Sequence, residues 1–157
     1  MILTLLVVGK TDEQFIREGI ALYSQRLKHY IDFRLEVIPD IKKNRNMSEK
    51  QQKNEEARKI ISRKSVSSEL HIFDEKGKAM TSLMFADFLQ KKMTSGIKEL
   101  ILVIGGPYGF SDEVRQTAVS EISLSPMTFP HQLARLLCVE QIYRAFTIIK
   151  GEPYHHD

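Results

Sequence analysis

The chain reads as an α/β protein with a largely parallel sheet flanked by helices. Three observations predict this. Strand-like apolar runs alternate with segments of helical period along the chain. One of those runs, Ile2–Val8, is a continuous apolar run, the pattern of a strand buried on both faces, and Leu100–Ile104 is a further apolar strand. The 157 residues, 42% of them apolar, suffice for one domain, 1–157, with its own core and no disulfide.

Taken in order, Ile2–Val8 is rich in β-branched residues and is followed by Gly9. Thr11-Asp12-Glu13-Gln14 has capping-box form. Phe15, Ile16, Ile20, Tyr23, Leu27 and Tyr30 then recur at helical steps and predict an amphipathic helix. Phe33, Leu35 and Val37 alternate with Arg34 and Glu36, so a second strand follows and stops at Pro39. From 40 to 64 the chain turns polar. Ser48-Glu49-Lys50-Gln51 is another capping box, and a helix with Ala57, Ile60 and Ile61 as its apolar stripe is expected to run to about Arg63. Between Lys42 and Lys64 nine Lys or Arg stand against three Glu. That balance reads either as a solvated helix or as an arm contacting phosphate.

Leu70–Phe73 is a short third strand closed by Asp74-Glu75-Lys76-Gly77. Thr81 or Ser82 caps a helix carrying Leu83, Phe85, Ala86, Phe88, Leu89 and Met93. The fourth strand runs into Gly105-Gly106-Pro107-Tyr108-Gly109-Phe110. Ser111-Asp112-Glu113 opens a short helix whose acidic first turn suits the helix dipole. Glu121–Leu124 is a fifth strand and Ser125–Pro130 a loop. A long helix through Leu133, Leu136, Leu137, Glu140, Tyr143 and Ile149 follows, ended by Gly151 and Pro153.

Several function classes are poorly supported. No segment approaches the roughly 20 apolar residues of a membrane span, and the apolar start lacks a basic leader and a cleavage site. The single cysteine, Cys138, lies in the apolar run Leu136–Val139, which fits packing in a reducing cytoplasm more than a reactive thiol. None of the five histidines pair at the spacing of a zinc helix, and Cys-x-x-Cys is absent, so no metal is expected. Glycines at 105, 106 and 109 do not make a dinucleotide fingerprint or a phosphate-binding P-loop. The net charge of +3 permits a nucleic-acid partner without demanding one.

In parallel α/β sheets ligands bind beyond the carboxyl ends of strands. Two such ends carry unusual loops here. Gly105-Gly106-Pro107-Tyr108-Gly109 lets backbone approach a ligand closely. Ser125–Pro130 combines small polar groups, a thioether and a ring, a mixture suited to an apolar cofactor body with a few hydrogen bonds.

These segments carry a resemblance. Val103-Ile104-Gly105-Gly106-Pro107-Tyr108-Gly109, then Ser123-Leu124-Ser125-Pro126-Met127-Thr128-Phe129-Pro130-His131-Gln132, then Glu140-Gln141-Ile142-Tyr143-Arg144-Ala145 and the terminal Pro153-Tyr154-His155 occur in order. With Val7-Val8-Gly9-Lys10 at the start, they make the chain similar to the RlmH family of ribosomal large-subunit methyltransferases, in the SPOUT superfamily. The likeness spans the whole chain and is weakest from 40 to 70. It implies a SPOUT-type fold with a C-terminal trefoil knot, a homodimer with each active site near the interface, and S-adenosylmethionine as cofactor. It implies methylation of N3 of pseudouridine 1915 in 23S rRNA, preferentially in the assembled ribosome.

Carried over by motif, the cofactor contacts are Phe73, Gly105, Leu124, Ser125, Pro126, Met127, Thr128 and Phe129. Phe73 stands where the family often has Leu, and either can pack on an adenine. Pro126 lacks a backbone donor and can contribute only its carbonyl or ring. The acceptor N3–H must lose a proton, so a group near neutral pKa is sought. His155, beside Tyr154, is the candidate for base or substrate positioning, with the tail folding over the target and serving the partner's site. A loose tail is the other reading. Tyr154 can stack on a base. Arg135 and Arg144 can meet phosphate or the cofactor carboxylate, or pair with Glu140. A non-enzymatic RNA- or ribosome-binding protein, and a SPOUT enzyme for another RNA base, are the rivals.

Overall fold

The computed structural model describes residues 1–41 and 47–155. Strands β1 (Ile2–Val8), β2 (Asp32–Ile38), β3 (Ser68–Ala79), β4 (Glu99–Ile104) and β5 (Ser120–Ser123) form one sheet in the order β2-β1-β4-β3-β5. Every pairing in it is parallel. The carboxyl ends of all five strands therefore face one edge, where ligands are expected.

Helices cover both faces. On one, α1 (Gln14–Leu27), α3 (Ser82–Thr94) and α5 (His131–Lys150) pack together, with α5 crossing both of the others. Leu3, Leu5, Leu100 and Leu102 point into that core. On the other face α2 (Glu49–Ile61) and α4 (Asp112–Thr117) close over Leu6, Val8, Ile101 and Val103. The alternation of these residues explains why β1 and β4 are apolar at consecutive positions: each side of the pleat meets a helix. Among the described residues no helix is long and apolar enough to cross a membrane.

The capping box expected at Thr11–Gln14 does not form. Glu13 is the N-cap and makes no side-chain cap. Instead Gln132 Oε1 accepts from the amides of Asp12 and Glu13 at 2.9 and 3.0 Å, and the Thr11 hydroxyl accepts from Arg135. A partner from α5 thus replaces the local cap. The box at Ser48 does form, with both reciprocal bonds to Gln51 present. Of the basic segment 42–64, residues 42–46 lie outside the described residues. The remainder is α2 with its flanks, and it exposes Lys50, Arg58 and Lys59 on the helix and Arg63 and Lys64 just after it.

β3 is longer than its apolar run predicts. Asp74–Gly77 is not the end of the strand but an excursion, after which Lys78 and Ala79 pair again with Ile122 and Ser123 of β5. Gly77 makes this possible. A Cβ there would fall 2.7 Å from backbone atoms of Glu121 and Ile122, so only glycine permits the approach.

Candidate active site

The carboxyl ends of β3, β4 and β5 enclose a cavity of about 480 Å³. Three loops build it: the β3 excursion, the glycine loop after β4, and the 124–130 loop that leads into α5. The last loop is shaped by its own hydroxyls. The Ser123 Oγ donates to the Ser125 carbonyl at 2.9 Å, and Ser125 Oγ accepts from the Met127 amide at 3.0 Å. Such short side-chain-to-backbone bonds hold a turn without regular structure.

Phe73, Gly105, Leu124, Ser125, Met127, Thr128 and Phe129 all line this cavity, and Pro126 does not. Met127 is 72% exposed, so an apolar thioether stands open at the mouth. Five charged groups that the sequence pattern did not single out also line it: Lys53 from α2, Asp74, Glu75 and Lys76 from the excursion, and Arg115 from α4. Arg115 donates to Asp74 Oδ2 at 2.7 Å and to Glu121 Oε2 at 2.5 Å, tying α4 to β3 and β5. Burial pushes the Asp74 carboxyl up, but the Lys76 amide and the Arg115 guanidinium outweigh it and hold Asp74 below the usual range. Glu75 Oε2 accepts from Thr128 Oγ1 at 2.8 Å across the rim. His131, at the start of α5, also lines the cavity, and burial followed by the Arg135 cation lowers its pKa and favours the neutral ring.

Beneath the glycine loop lies Glu56, only 3% exposed. Its Oε1 accepts from Gln52 Nε2 at 3.0 Å, and burial raises its pKa.

The two arginines of α5 have different places. Arg135 is 3% exposed and does not pair with Glu140. It donates to the carbonyls of Val8 (2.5 Å) and Gly9 (3.0 Å) and to Thr11 Oγ1 (2.8 Å), binding the end of β1 to α5. Its Nε is buried without a hydrogen-bond partner. The guanidinium is thus turned into the protein, not toward a substrate. Arg144 pairs with Glu140 at 2.6 Å.

Arg144 also organises the tail. Its guanidinium lies 4.8 Å over the Tyr154 ring and its Nη1 is 3.4 Å from His155 Nδ1. An arginine can only donate, so Nδ1 is the acceptor and a neutral His155 ring carries its proton on Nε2. The Tyr154 hydroxyl donates to Glu140 Oε1 at 3.2 Å and lies 3.3 Å from the Tyr23 hydroxyl. Burial, then Tyr23 and Glu140, push its pKa up, so the phenol stays protonated. Arg144, Tyr154 and His155 therefore come together, but none of them lines the cavity of their own chain. Among the described residues no three His, Cys, Asp or Glu side chains converge as a metal site requires.

A parallel sheet with a nucleotide-sized cavity at its carboxyl edge, floored by glycines and walled by apolar and hydroxyl side chains, has the form of a cofactor-binding α/β protein. Residues 1–155 match the family described as predicted SPOUT methyltransferase, and the chain belongs to that family. It is 52% identical to the ribosomal RNA large subunit methyltransferase H of Christiangramia forsetii and likewise 52% to that of Flavobacterium psychrophilum, over 99% of each chain. The Porphyromonas gingivalis protein of the same name is 47% identical over 100% of both chains. A solved structure of a probable methylase family protein from Haemophilus influenzae shares the fold, with TM-score 0.53 at 12% identity, covering 99% of this chain and 70% of that one. The chain is accordingly a methyltransferase, and membership of this family makes S-adenosylmethionine its methyl donor.

Proposed function

We propose that the protein methylates N3 of pseudouridine 1915 of 23S rRNA, in the cytoplasm, as a homodimer acting on the assembled ribosome. One observation carries this reading: seven of the eight residues expected to hold the cofactor line one cavity. The names of the full-length relatives supply the substrate class. In this reading the whole chain works as one domain and its C-terminal segment is threaded as a trefoil knot.

The residues fit the donor. A cavity of about 480 Å³ lies within the roughly 300–1,000 Å³ of small-molecule sites. Phe73, Leu124, Met127 and Phe129 offer apolar surface to an adenosine, while Ser125 and Thr128 offer hydroxyls. When bound, S-adenosylmethionine supplies a methyl group that is already activated, so the protein's work is orientation and management of the acceptor's proton.

The tail cluster lies on α1 and α5, away from its own cavity, and so suits the partner's site. His155, held beside Arg144, is the candidate to position the target base. Tyr154 offers a ring for stacking. The exposed cations of α2, with Lys53 pointing to the cavity, provide phosphate contacts.

A methylation assay on intact ribosomes and on naked rRNA, with mass mapping of the product, tests the assignment. His155→Ala should lower the rate roughly tenfold or more while leaving cofactor affinity unchanged. Coexpression of His155→Ala chains with chains defective in the cofactor pocket should restore activity if the tail serves the partner. Unchanged activity removes His155 from the reaction, and failure of the wild type to bind S-adenosylmethionine favours a non-enzymatic ribosome-binding protein.

A further inference from the structure

Two acidic side chains line the cavity, and they are held differently. Asp74 is paired with Arg115 at 2.7 Å, and Arg115 is shared with Glu121. Glu75 has no cationic partner among the described residues. The hydrogen bond it makes is to the neutral Thr128 hydroxyl, on the loop expected to hold the cofactor. Lys53 and Lys76 also line the cavity and add positive charge. A positively charged ligand entering there meets Glu75 as the carboxylate that is not already neutralised.

Methyl transfer changes the ligand in one electrostatic respect. The donor carries a sulfonium cation, and the product, S-adenosylhomocysteine, is a neutral thioether with the same adenosine and amino-acid parts. Phe73, Leu124 and Phe129 line the cavity with apolar surface, which suits features that the two share and cannot separate them. A group that senses charge can. We infer that Glu75 is a specificity-determining residue that favours the sulfonium donor over the thioether product and so helps exchange one for the other. The excursion of β3 places it there: Gly77 packed against β5 and Asp74 held by Arg115 fix both ends of the segment that bears it.

This inference rests on the cavity being the methyl-donor site. Glu75 is exposed, so solvent and salt weaken its pull, and the effect is modest. Isothermal titration of the purified full chain with S-adenosylmethionine and with S-adenosylhomocysteine tests it. Glu75→Gln keeps the side chain's size and its hydrogen bond to Thr128. It should weaken the donor about two- to fivefold and leave the product's affinity unchanged. In the wild type the preference for the donor should shrink toward that of Glu75→Gln as salt is raised. Equal losses for both ligands, no loss for either, or a salt-independent preference overturns the inference. If the wild type binds neither ligand, the assignment of the cavity itself fails instead.

Discussion

Glu56 and Gly106 are in direct apposition: a Cβ built on Gly106 would lie 2.8 Å from Glu56 Oε2 and 3.0 Å from Oε1. A buried carboxylate on α2 thus occupies the space a side chain would need in the glycine loop. Gly106→Ala should displace that carboxylate or lift the loop. The expected cost is about 1–3 kcal/mol of stability, read by thermal denaturation, with weaker binding of the methyl donor. Unchanged stability and affinity would mean that Glu56 yields freely.

Glu56 also sets a pH dependence. Burial raises its pKa in the folded chain above the 4.5 of an exposed glutamate. The folded state therefore holds the proton more tightly than the unfolded state. Its favourable contribution is complete below pH 4.5 and is lost as pH rises through the raised folded value. Glu56→Gln should flatten this part of the stability curve and be the more stable protein at neutral pH. Urea denaturation of both proteins across that range checks the sign.

Arg135→Ala should destabilise the fold by about 3 kcal/mol, because the carbonyls of Val8 and Gly9 would lose their buried donor. Arg135→Lys should not rescue it, since an ammonium cannot span three acceptors as a guanidinium fork does. Chemical denaturation measures both variants. Wild-type stability with impaired ribosome binding would return Arg135 to the substrate side.

Tyr154→Phe removes the hydroxyl that meets Glu140 and Tyr23 while keeping the ring under Arg144. A loss of about 0.5–1.5 kcal/mol is expected, seen as a lower Tm. Because the tail lies outside the cavity, the affinity for S-adenosylmethionine should not change. A changed cofactor affinity would contradict the separation of the two clusters.

Much of this was legible in local patterns. Consecutive apolar residues marked β1 as a strand buried on both faces and β4 as an apolar strand, and the two loops at strand ends marked the cavity. Distance along the chain hid the rest. Thr11 looked like a cap because its true partner, Arg135, is 124 residues away. Asp74–Gly77 has the composition of a turn, and only the packing of Gly77 on β5 shows the strand resuming. Lys53, Glu75 and Arg115 read as ordinary surface charge, since no period ties them to the glycine loop. Arg135 and Arg144 could have been separated in advance. Nine residues on a helix is about two and a half turns, so the two point in opposite directions.

The 20 residues of α5 link the wall of the cavity at His131 to the tail that returns to Glu140. Adding a single residue within that rod would advance its far end by about 1.5 Å and swing it by about 100°. Arg144 would leave its aromatic partner and the leucines would lose their seat on α1 and α3. Insertions and deletions are thus barred from this helix by phase, and tolerance of length variation is left to the connecting loops, where no such rotation follows.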